Sequence, residues 1–472
     1  MCRSTLAQLA TCACAAVTEP MLSAVDTFWV GRLGVEALAS LGCTTALFGS
    51  ALGVLATNCF GHAATRHVAL ALAEDRSAPG GGAGEEALRG VAGFAAACGA
   101  AVAAAIALFP TAAVAATGTP PELAAAAASY AGARALGAPA VLAMAALAGA
   151  SNAAGDARAP LRAVVVAGAA NLVLDPALIW GAGLGLEGAA WATVLSQALG
   201  CGLLLWSLAR KACFAPGAAA GERAGVLDPG LVVRGPAGGV DAKRTWLELQ
   251  RRAAPGAGSY ARSVCALLGR AANSVFVWSA TSVAAARLGV VPVAAHQLLF
   301  QAATTCVLLT GAYTTVGAAL AARLGAERGQ RAAAAAAAAL ARVAAATSSA
   351  VGAALVLGIP AVAPAFTTDP GVVAATARSA PIMAACVALT FYKAIEGHLI
   401  GLGDSAHLNS VFLAAAAACG AVLLAQAHGF AWAAGLPGVW LAICAYYSVL
   451  VMGTTSRHRA LAEQAEAAGA AA

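Results

Sequence analysis

Long blocks of apolar residues with almost no charge run through the whole chain, and they limit its possible folds more than any other feature. Each block reaches or exceeds the roughly 20 residues that a helix needs to cross the hydrocarbon core of a bilayer. Of the 472 residues, 61% are hydrophobic and 10% are charged, whereas a soluble chain carries about 25% charged residues. Because so little charge cannot cover a water-facing surface, we predict an integral membrane protein.

The blocks predict helices rather than a β-barrel. Backbone groups inside a bilayer must be paired internally, which leaves only these two structures. Barrel strands alternate apolar and polar residues, and the segments 91–109 and 332–341 do not alternate. We therefore predict an all-α polytopic membrane protein with 12 transmembrane helices in two pseudo-symmetric six-helix bundles. The predicted spans are 5–30, 37–62, 88–115, 121–148, 160–182, 186–209, 259–285, 292–320, 332–362, 372–400, 405–427 and 432–454.

Lysine and arginine are concentrated in alternate loops, which predicts the topology. By the positive-inside rule, both termini and the long middle loop face the cytoplasm, or the stromal side of a plastid envelope. The predicted domains are an N-terminal six-helix bundle (1–210), a cytoplasmic linker rich in Pro, Gly and basic residues (211–258), a C-terminal six-helix bundle (259–455) and a cytoplasmic tail (456–472). The choice between plasma membrane and plastid envelope stays open, as does a targeting segment upstream of Met1.

Two landmarks recur in the same order in both halves. Arg32-Leu33-Gly34 returns as Arg287-Leu288-Gly289, 255 residues later. Gly149 with Gly155-Asp156 returns as Gly397 with Gly403-Asp404 at an offset of 248. The copies lie on the same predicted membrane side, so the repeat is parallel, which is an architecture of transporters.

Ionisable side chains inside a membrane are costly, so they are the first candidates for function. Glu19 and Asp26 lie seven residues apart on one face of the first span. Asn171 and Asp175 are an i, i+4 pair on the fifth span. A buried carboxylate beside a carboxamide can hold a proton or coordinate Na⁺. The alternatives are that Asp26 lies in the headgroup region and that Asp175, followed by Pro176, caps a helix end.

The second half offers further polar residues inside its spans. Lys393 and Glu396 are an i, i+3 pair on the tenth span, and they either take part in coupling or only neutralise each other. Gln297 and Gln301 on the eighth span could line a cavity or bridge helices. His296, beside them, is more typical of a structural group. Asp156 and Asp404 each follow a glycine, and we interpret them as turn residues.

Other classes of function find no support in the sequence. No nucleophilic triad, phosphate-binding loop or zinc-ligand cluster is present, so we predict no enzyme and no cofactor. The 13 cysteines include no CxxC pair, and we interpret them as packing residues. The net charge of +6 follows the membrane rule and does not indicate a nucleic-acid partner.

The chain resembles the multidrug and toxic compound extrusion (MATE) family, in particular its DinF-like branch. The resemblance covers nearly the whole chain. The residues that carry it are Thr18-Glu19-Pro20, Val25-Asp26-Thr27, Gly31–Gly34, Ala169–Pro176, Gly185–Thr193, Ala294–Gln297 and Gly397–Asp404. The Asn-x-x-x-Asp-Pro and Asp-Thr patterns are the more specific ones.

The resemblance implies two six-helix bundles and export of small organic compounds (drugs, metabolites or organic acids) by antiport with H⁺ or Na⁺. It implies that Asp26 and Asp175, with Asn171 beside them, carry the cation in the N-terminal bundle. Other branches use an acid on the seventh span, which this chain lacks, so Glu396 is the acidic candidate of the second half. The expected partners are membrane lipids, a small organic substrate and the coupling cation, and the expected state is a monomer. A lipid or lipid-linked precursor flippase and a non-transporting membrane scaffold are the alternatives.

Overall fold

The structure, a computed structural model, is helical throughout the residues that it describes. These are 52–77, 82–115, 121–211, 257–366 and 370–470, with Thr119 and isolated positions between Leu9 and Phe48. No strand occurs in this part of the chain, so the predicted all-α fold is confirmed. The predicted linker falls outside the described residues except at its two ends.

The contacts between residues divide the chain into two units, of which the first holds residues 2–232 and 250–265. A wide π-helical turn, Ala56–Gly61, precedes α2, and a second one, Ala177–Gly181, follows α7. The α-helices of this unit are α1 (Gly53–Leu55), α2 (His62–Ser77), α3 (Ala83–Leu108), α4 (Pro110–Ala115), α5 (Ala124–Ala135), α6 (Ala138–Ala153), α7 (Arg158–Pro176) and α8 (Gly185–Ala209).

The second unit holds residues 266–472 together with 233–249. Its helices are α9 (Ala257–Arg287, whose first residues count with the first unit), α10 (Val290–Arg328), α11 (Gln330–Phe366), α12 (Pro370–Ala388), α13 (Tyr392–Leu402), α14 (Ser405–Ala427) and α15 (Gly435–Ala470). A 3₁₀ turn, Leu389–Phe391, joins α12 to α13. The predicted tail, 456–472, is the continuation of α15 as far as Ala470.

Among the described residues, eight helical segments are long and apolar enough to cross a membrane, or nine if the pair α5–α6, bent by 47°, is one span. Large apolar side chains on them, such as Leu108, Trp206 and Leu357, are exposed, as lipid-facing residues are. The helix α9, at the predicted seventh span, is not among these segments. Most of the first two predicted spans lies outside the described residues.

The repeated glycines mark the places where helix backbones approach most closely. A Cβ on Gly149 of α6 would meet the carbonyl oxygen of Gly61 and lie 3.0 Å from the Thr65 nitrogen of α2. A Cβ on Gly397 of α13 would meet the Thr314 carbonyl oxygen and lie 3.0 Å from the Ala318 nitrogen of α10. The two units therefore use the same small-residue contact between equivalent helices.

The second landmark ends a helix in the same way in both units. Gly155 and Gly403 have φ of 79° and 80°. The amides of Asp156 and Asp404 each donate to the carbonyl oxygen five residues earlier, at 2.9 Å. This is the Schellman arrangement that glycine favours at a helix end. Asp156 and Asp404 are thus turn residues, as the sequence indicates.

Each of these aspartates also forms an ion pair with a base of its own unit. The Lys211 ammonium lies 2.6 Å from Asp156 Oδ2, and Arg457 Nε lies 2.7 Å from Asp404 Oδ2. Desolvation raises the pKa of Asp156, but the hydrogen bond and charge of Lys211 and the amides of Ala159 and Arg158 lower it more, so that the pKa is below its ordinary value. The ion pair fastens the loop after α6 to the end of α8.

The close approach at Gly397 yields a stability prediction. We expect Gly397→Ala to lower the stability of the purified protein by about 1–3 kcal/mol, because the added methyl group would overlap the α10 backbone. Thermal unfolding in detergent measures the change. Gly311→Ala, in α10 at a position with no described atom within 4 Å of the new methyl group, is the matched control and should be neutral or stabilising. Equal melting temperatures for wild type and Gly397→Ala would contradict this packing.

The Asp156 ion pair yields a prediction about pH. A carboxyl group whose pKa is lower in the folded state stabilises the fold above its unfolded pKa, and this contribution disappears as the pH falls through the folded pKa. Because the group is half-buried, we expect Asp156→Asn to cost about 1 kcal/mol or less at pH 7. The deficit relative to wild type should shrink in unfolding scans at progressively more acidic pH. Glu122→Gln, at an exposed carboxylate, should show no such trend, and a deficit that grows on acidification would refute the assignment.

Candidate functional site

The acidic candidate of the first unit lies inside α7. Asn171 Nδ2 donates to Asp175 Oδ2 at 3.0 Å, and the residues are 5% and 0% exposed. The i, i+4 spacing places both side chains on one face, which the hydrogen bond requires. The structure thus brings together two of the three residues predicted to bind the cation.

Asp175 does not lie at the end of a helical segment. Pro176 has no N–H to donate to the preceding turn, yet the chain continues as the π-helical turn Ala177–Gly181. Such wide turns occur mainly as single insertions in α-helices, often at functional sites. The alternative that Asp175 caps a helix end is therefore not what the structure shows.

The buried pair can bind a cation through hard oxygen donors. A carboxylate can take up a proton, and carboxylate and amide oxygens are also the ligands that hard metal cations prefer. No group of three or more histidine, cysteine, aspartate or glutamate side chains suited to a metal occurs within the described ranges. The donor set of Asn171 and Asp175 therefore fits H⁺, and it fits Na⁺ as part of a larger set of oxygen ligands.

The first unit also holds a buried arginine. Arg134 Nη1 donates to Gln197 Oε1 at 2.9 Å, and its guanidinium lies 5.4 Å from the centre of the Phe48 ring. Arg134 thus contacts a neutral amide and the face of an aromatic ring. A position over such a face is favourable for a cation.

The second unit holds a buried ionic cluster that we define as Arg270, Lys393 and Glu396. Arg270 Nη1 lies 2.5 Å from Glu396 Oε1, and the Lys393 ammonium lies 3.5 Å from Glu396 Oε2. Thr314 of α10 donates to the same Oε2 at 3.2 Å. The cluster therefore joins α9, α10 and α13.

The main partner of Glu396 is Arg270, 126 residues earlier in the sequence. The side chains are 0% and 2% exposed, so this is a closed pair out of contact with solvent. The sequence spacing draws attention to Lys393, whereas the structure places it at the longer distance. Because its charge is already matched by Arg270, Glu396 is a poor site for a coupling cation.

The remaining candidates fall outside what the structure describes. Glu19 and Asp26 are in the undescribed part of the first span. Gln297 and Gln301 occupy helical positions in α10, but their side chains are outside the description. His296 is buried between the rings of Phe300 and Trp440, with ring centres 5.8 and 5.5 Å away, as a structural histidine would be.

The fold is shared with solved structures of membrane transporters. A MOP superfamily transporter from Pyrococcus furiosus matches with a TM-score of 0.76 and 18% identity, over 97% of this chain and 96% of that one. An outward-facing multidrug resistance MATE family transporter matches at 0.75 and 19%, over 98% and 96%. A variant of the Vibrio cholerae MATE transporter VcmN matches at 0.74 and 17%, over 97% and 96%.

The sequence comparison adds a match to a family. The MatE family model matches residues 12–177, a segment that includes Asn171 and Asp175. No curated protein matches the sequence. The predicted resemblance to the MATE family, and with it the prediction of a transporter rather than an enzyme, is confirmed. The DinF-like branch stays a prediction.

The ionic cluster yields a prediction about stability. We expect Glu396→Gln to destabilise the protein by about 3 kcal/mol or more, because the change leaves Arg270 buried without its counter-charge. Thermal unfolding in detergent would show the loss. The double variant Arg270→Gln/Glu396→Gln should lose less than the sum of the two single variants, since the residues interact directly. Strict additivity would argue against the pairing.

Proposed function

We propose that the protein is a secondary active transporter that exports small organic compounds by antiport with H⁺ or Na⁺. The observation that carries this proposal is the buried Asn171–Asp175 pair in α7, followed by a π-helical turn. One related structure is described as a multidrug resistance transporter. The proposal is that this chain performs a reaction of the same kind.

Cation binding at Asp175 would change the relative free energies of the two conformations of the first unit. An ionised carboxylate in an apolar surrounding is costly, and a bound proton or Na⁺ removes most of that cost. A ligand shifts a conformational equilibrium only by its difference in affinity between the two states. We propose that the cation favours the arrangement in which Asp175 is most enclosed, and that substrate favours the other.

We further propose that Asp26 completes the cation site with Asn171 and Asp175, and that Glu19, Gln297 and Gln301 contribute to the cavity. The protein would act as a monomer in the lipid bilayer, with both termini on the cytoplasmic or stromal side. The twelve-span arrangement in two bundles, with the linker between them, is the scaffold for this cycle.

A lipid flippase would need a cationic interior. Among the arginines inside the predicted spans, Arg134 and Arg270 are bound to Gln197 and Glu396. Arg262 and Arg342 are exposed. The paired arginines do not favour a flippase over an exporter of small compounds.

The sign of the substrate charge cannot be taken from relatives. The Pyrococcus furiosus transporter is described as having a binding pocket of reversed polarity and a different function. Pocket charge therefore varies among proteins with this fold. The sign of the substrate charge has to be inferred from the residues of this chain.

The coupling role of Asp175 is tested in proteoliposomes with an imposed H⁺ or Na⁺ gradient. We expect Asp175→Asn to reduce uphill transport of a cationic and an anionic probe at least tenfold, because a neutral amide cannot take up a proton and lacks the negative charge that holds Na⁺. Glu122→Gln, at an exposed carboxylate, should transport as wild type does. Melting temperatures measured in parallel would identify a variant that fails only because it unfolds.

The outcome separates the alternatives. Uphill transport by Asp175→Asn at the wild-type rate would refute the coupling role. Movement of labelled lipid without dependence on either gradient would favour a flippase. Absence of transport in folded wild-type protein, across both gradients and both probes, would favour a scaffold.

A further inference from the structure

Four buried polar atoms near one end of the second unit have no hydrogen-bond partner among the described residues. They are His296 Nδ1, Thr376 Oγ1, Ser379 Oγ and Trp440 Nε1, and their residues are at most 1% exposed. A buried polar atom without a partner has lost its hydration and gained nothing in return, so native proteins contain few of them. Four such atoms in one part of the fold indicate a site for a ligand that supplies the hydrogen bonds.

The three helices that carry these atoms begin at the same end of the second unit. Successive spans of this unit run antiparallel through short connections, so α10, α12 and α15 all start on one side. The helix α12 packs against the other two. His296, Thr376 and Trp440 lie five or six residues after the first residue of their helices, and Ser379 lies nine after. At about 1.5 Å per residue, all four occupy a layer about 8–14 Å from the helix starts.

His296 and Trp440 are in direct contact across α10 and α15. Their ring centres are 5.5 Å apart, and the ring planes are inclined at 46°. Even so, neither unpartnered nitrogen bonds to the other ring. Ala295, Ala380 and Val439, which are chain neighbours of the polar residues on the three helices, belong to one hydrophobic core cluster. The polar atoms are therefore surrounded by an apolar core that offers them no hydrogen bonds.

The hydrogen bonds around His296 fix which of its nitrogens carries the proton. Ser282 donates its hydroxyl proton to the Trp278 carbonyl oxygen at 2.9 Å. Toward His296 Nε2, which is 3.5 Å away, the Ser282 oxygen can then act only as an acceptor. Neutral His296 therefore carries its proton on Nε2 and presents a lone pair at Nδ1.

The unpartnered atoms define the chemistry of the ligand. Trp440 Nε1–H is a donor only and His296 Nδ1 is an acceptor, whereas the hydroxyl groups of Thr376 and Ser379 can do both. The indole N–H disfavours a metal cation, and the imidazole lone pair disfavours an anion. A neutral hydroxyl group can accept from the first and donate to the second. A neutral ligand also avoids the cost of placing a charge in an apolar interior.

We propose that α10, α12 and α15 form a binding site for a neutral hydroxyl group, which accepts from Trp440 Nε1 and donates to His296 Nδ1. Thr376 and Ser379 supply the further hydrogen bonds that such a ligand makes when buried. The site is separate from the ionic cluster, because Thr314 of that cluster lies eighteen residues further along α10, about 27 Å away along the helix. It is also independent of the proposed transport function. Water and a small alcohol share this chemistry, and the experiment distinguishes them.

The first measurement is ultraviolet resonance Raman spectroscopy of the full-length protein in detergent. The difference between wild type and Trp440→Phe isolates the indole band that reports hydrogen bonding of the Trp440 N–H. We expect this band at the position of a hydrogen-bonded indole, and we expect His296→Leu to shift it toward that of a free indole, because the ligand loses its acceptor. His428→Leu, at an exposed histidine of the same unit, should leave it unchanged. A free indole N–H in wild type would overturn the proposal.

A second measurement uses wild type alone, so it does not depend on the folding of a variant. In radiolytic labelling, water bound inside a protein yields hydroxyl radicals at its own position, and a buried residue beside it is oxidised. In alcohol-free buffer we expect buried Trp440 to be oxidised within about threefold of the rate of exposed Trp432. Buried Phe412 should react at least tenfold more slowly than exposed Phe430. A rate ratio for the two tryptophans as low as that for the two phenylalanines would mean a dry site and would overturn the proposal.

Two further conditions identify the ligand. If ethylene glycol lowers the oxidation of Trp440 relative to Trp432 at least threefold, the site takes an alcohol in place of water. An unchanged ratio assigns the site to water, and both results support a site for a neutral hydroxyl group. A Trp440 Raman band that moves when chloride is replaced by bromide or gluconate would assign the site to an anion and overturn the proposal.

Discussion

The cost of placing charge in an apolar medium governs this molecule. Most of its surface faces lipid, so each ionisable group inside the spans must be neutralised, hydrogen-bonded or supplied with a ligand. The two units meet this requirement differently. The first holds Asp175 against the carboxamide of Asn171, where we propose that it binds the coupling cation. The second holds Glu396 against Arg270, which satisfies the acid with a permanent positive charge.

The two units differ in their buried charges, although they share the same duplicated scaffold. The glycine contacts at Gly149 and Gly397, the helix ends at Gly155 and Gly403, and the ion pairs of Asp156 and Asp404 follow one plan in both units. The buried polar residues do not follow it. At the offset of 248, Cys419 and Leu423 stand where the first unit has Asn171 and Asp175. The two units therefore share their glycine contacts and helix ends, and they differ in their buried polar residues.

Much of this plan can be predicted from sequence because it depends on local periodicity. Apolar blocks that are long enough to cross a bilayer predict helices. The i, i+4 spacing of Asn171 and Asp175 brings their side chains together on any helix. The Gly-Asp landmarks predict the turns after α6 and α13, since glycine is needed at a positive φ.

The sequence does not reveal contacts between distant segments. Arg270 stands 126 residues from Glu396, and no spacing rule links α9 to α13, so the i, i+3 spacing favours Lys393 as the partner. The Arg134–Gln197 bond is hidden for the same reason. The bases that bind Asp156 and Asp404 are hidden too, because Lys211 follows the end of α8 whereas Arg457 lies inside α15.

The central claim is that the coupling cation binds in the first unit and not at Glu396. Infrared difference spectroscopy of the purified protein, across a step in pH or Na⁺ concentration, reports directly which carboxyl groups change. The account predicts a carboxyl band that is lost in Asp175→Asn and retained in Glu396→Gln. A band that survives in Asp175→Asn and disappears in Glu396→Gln would contradict it.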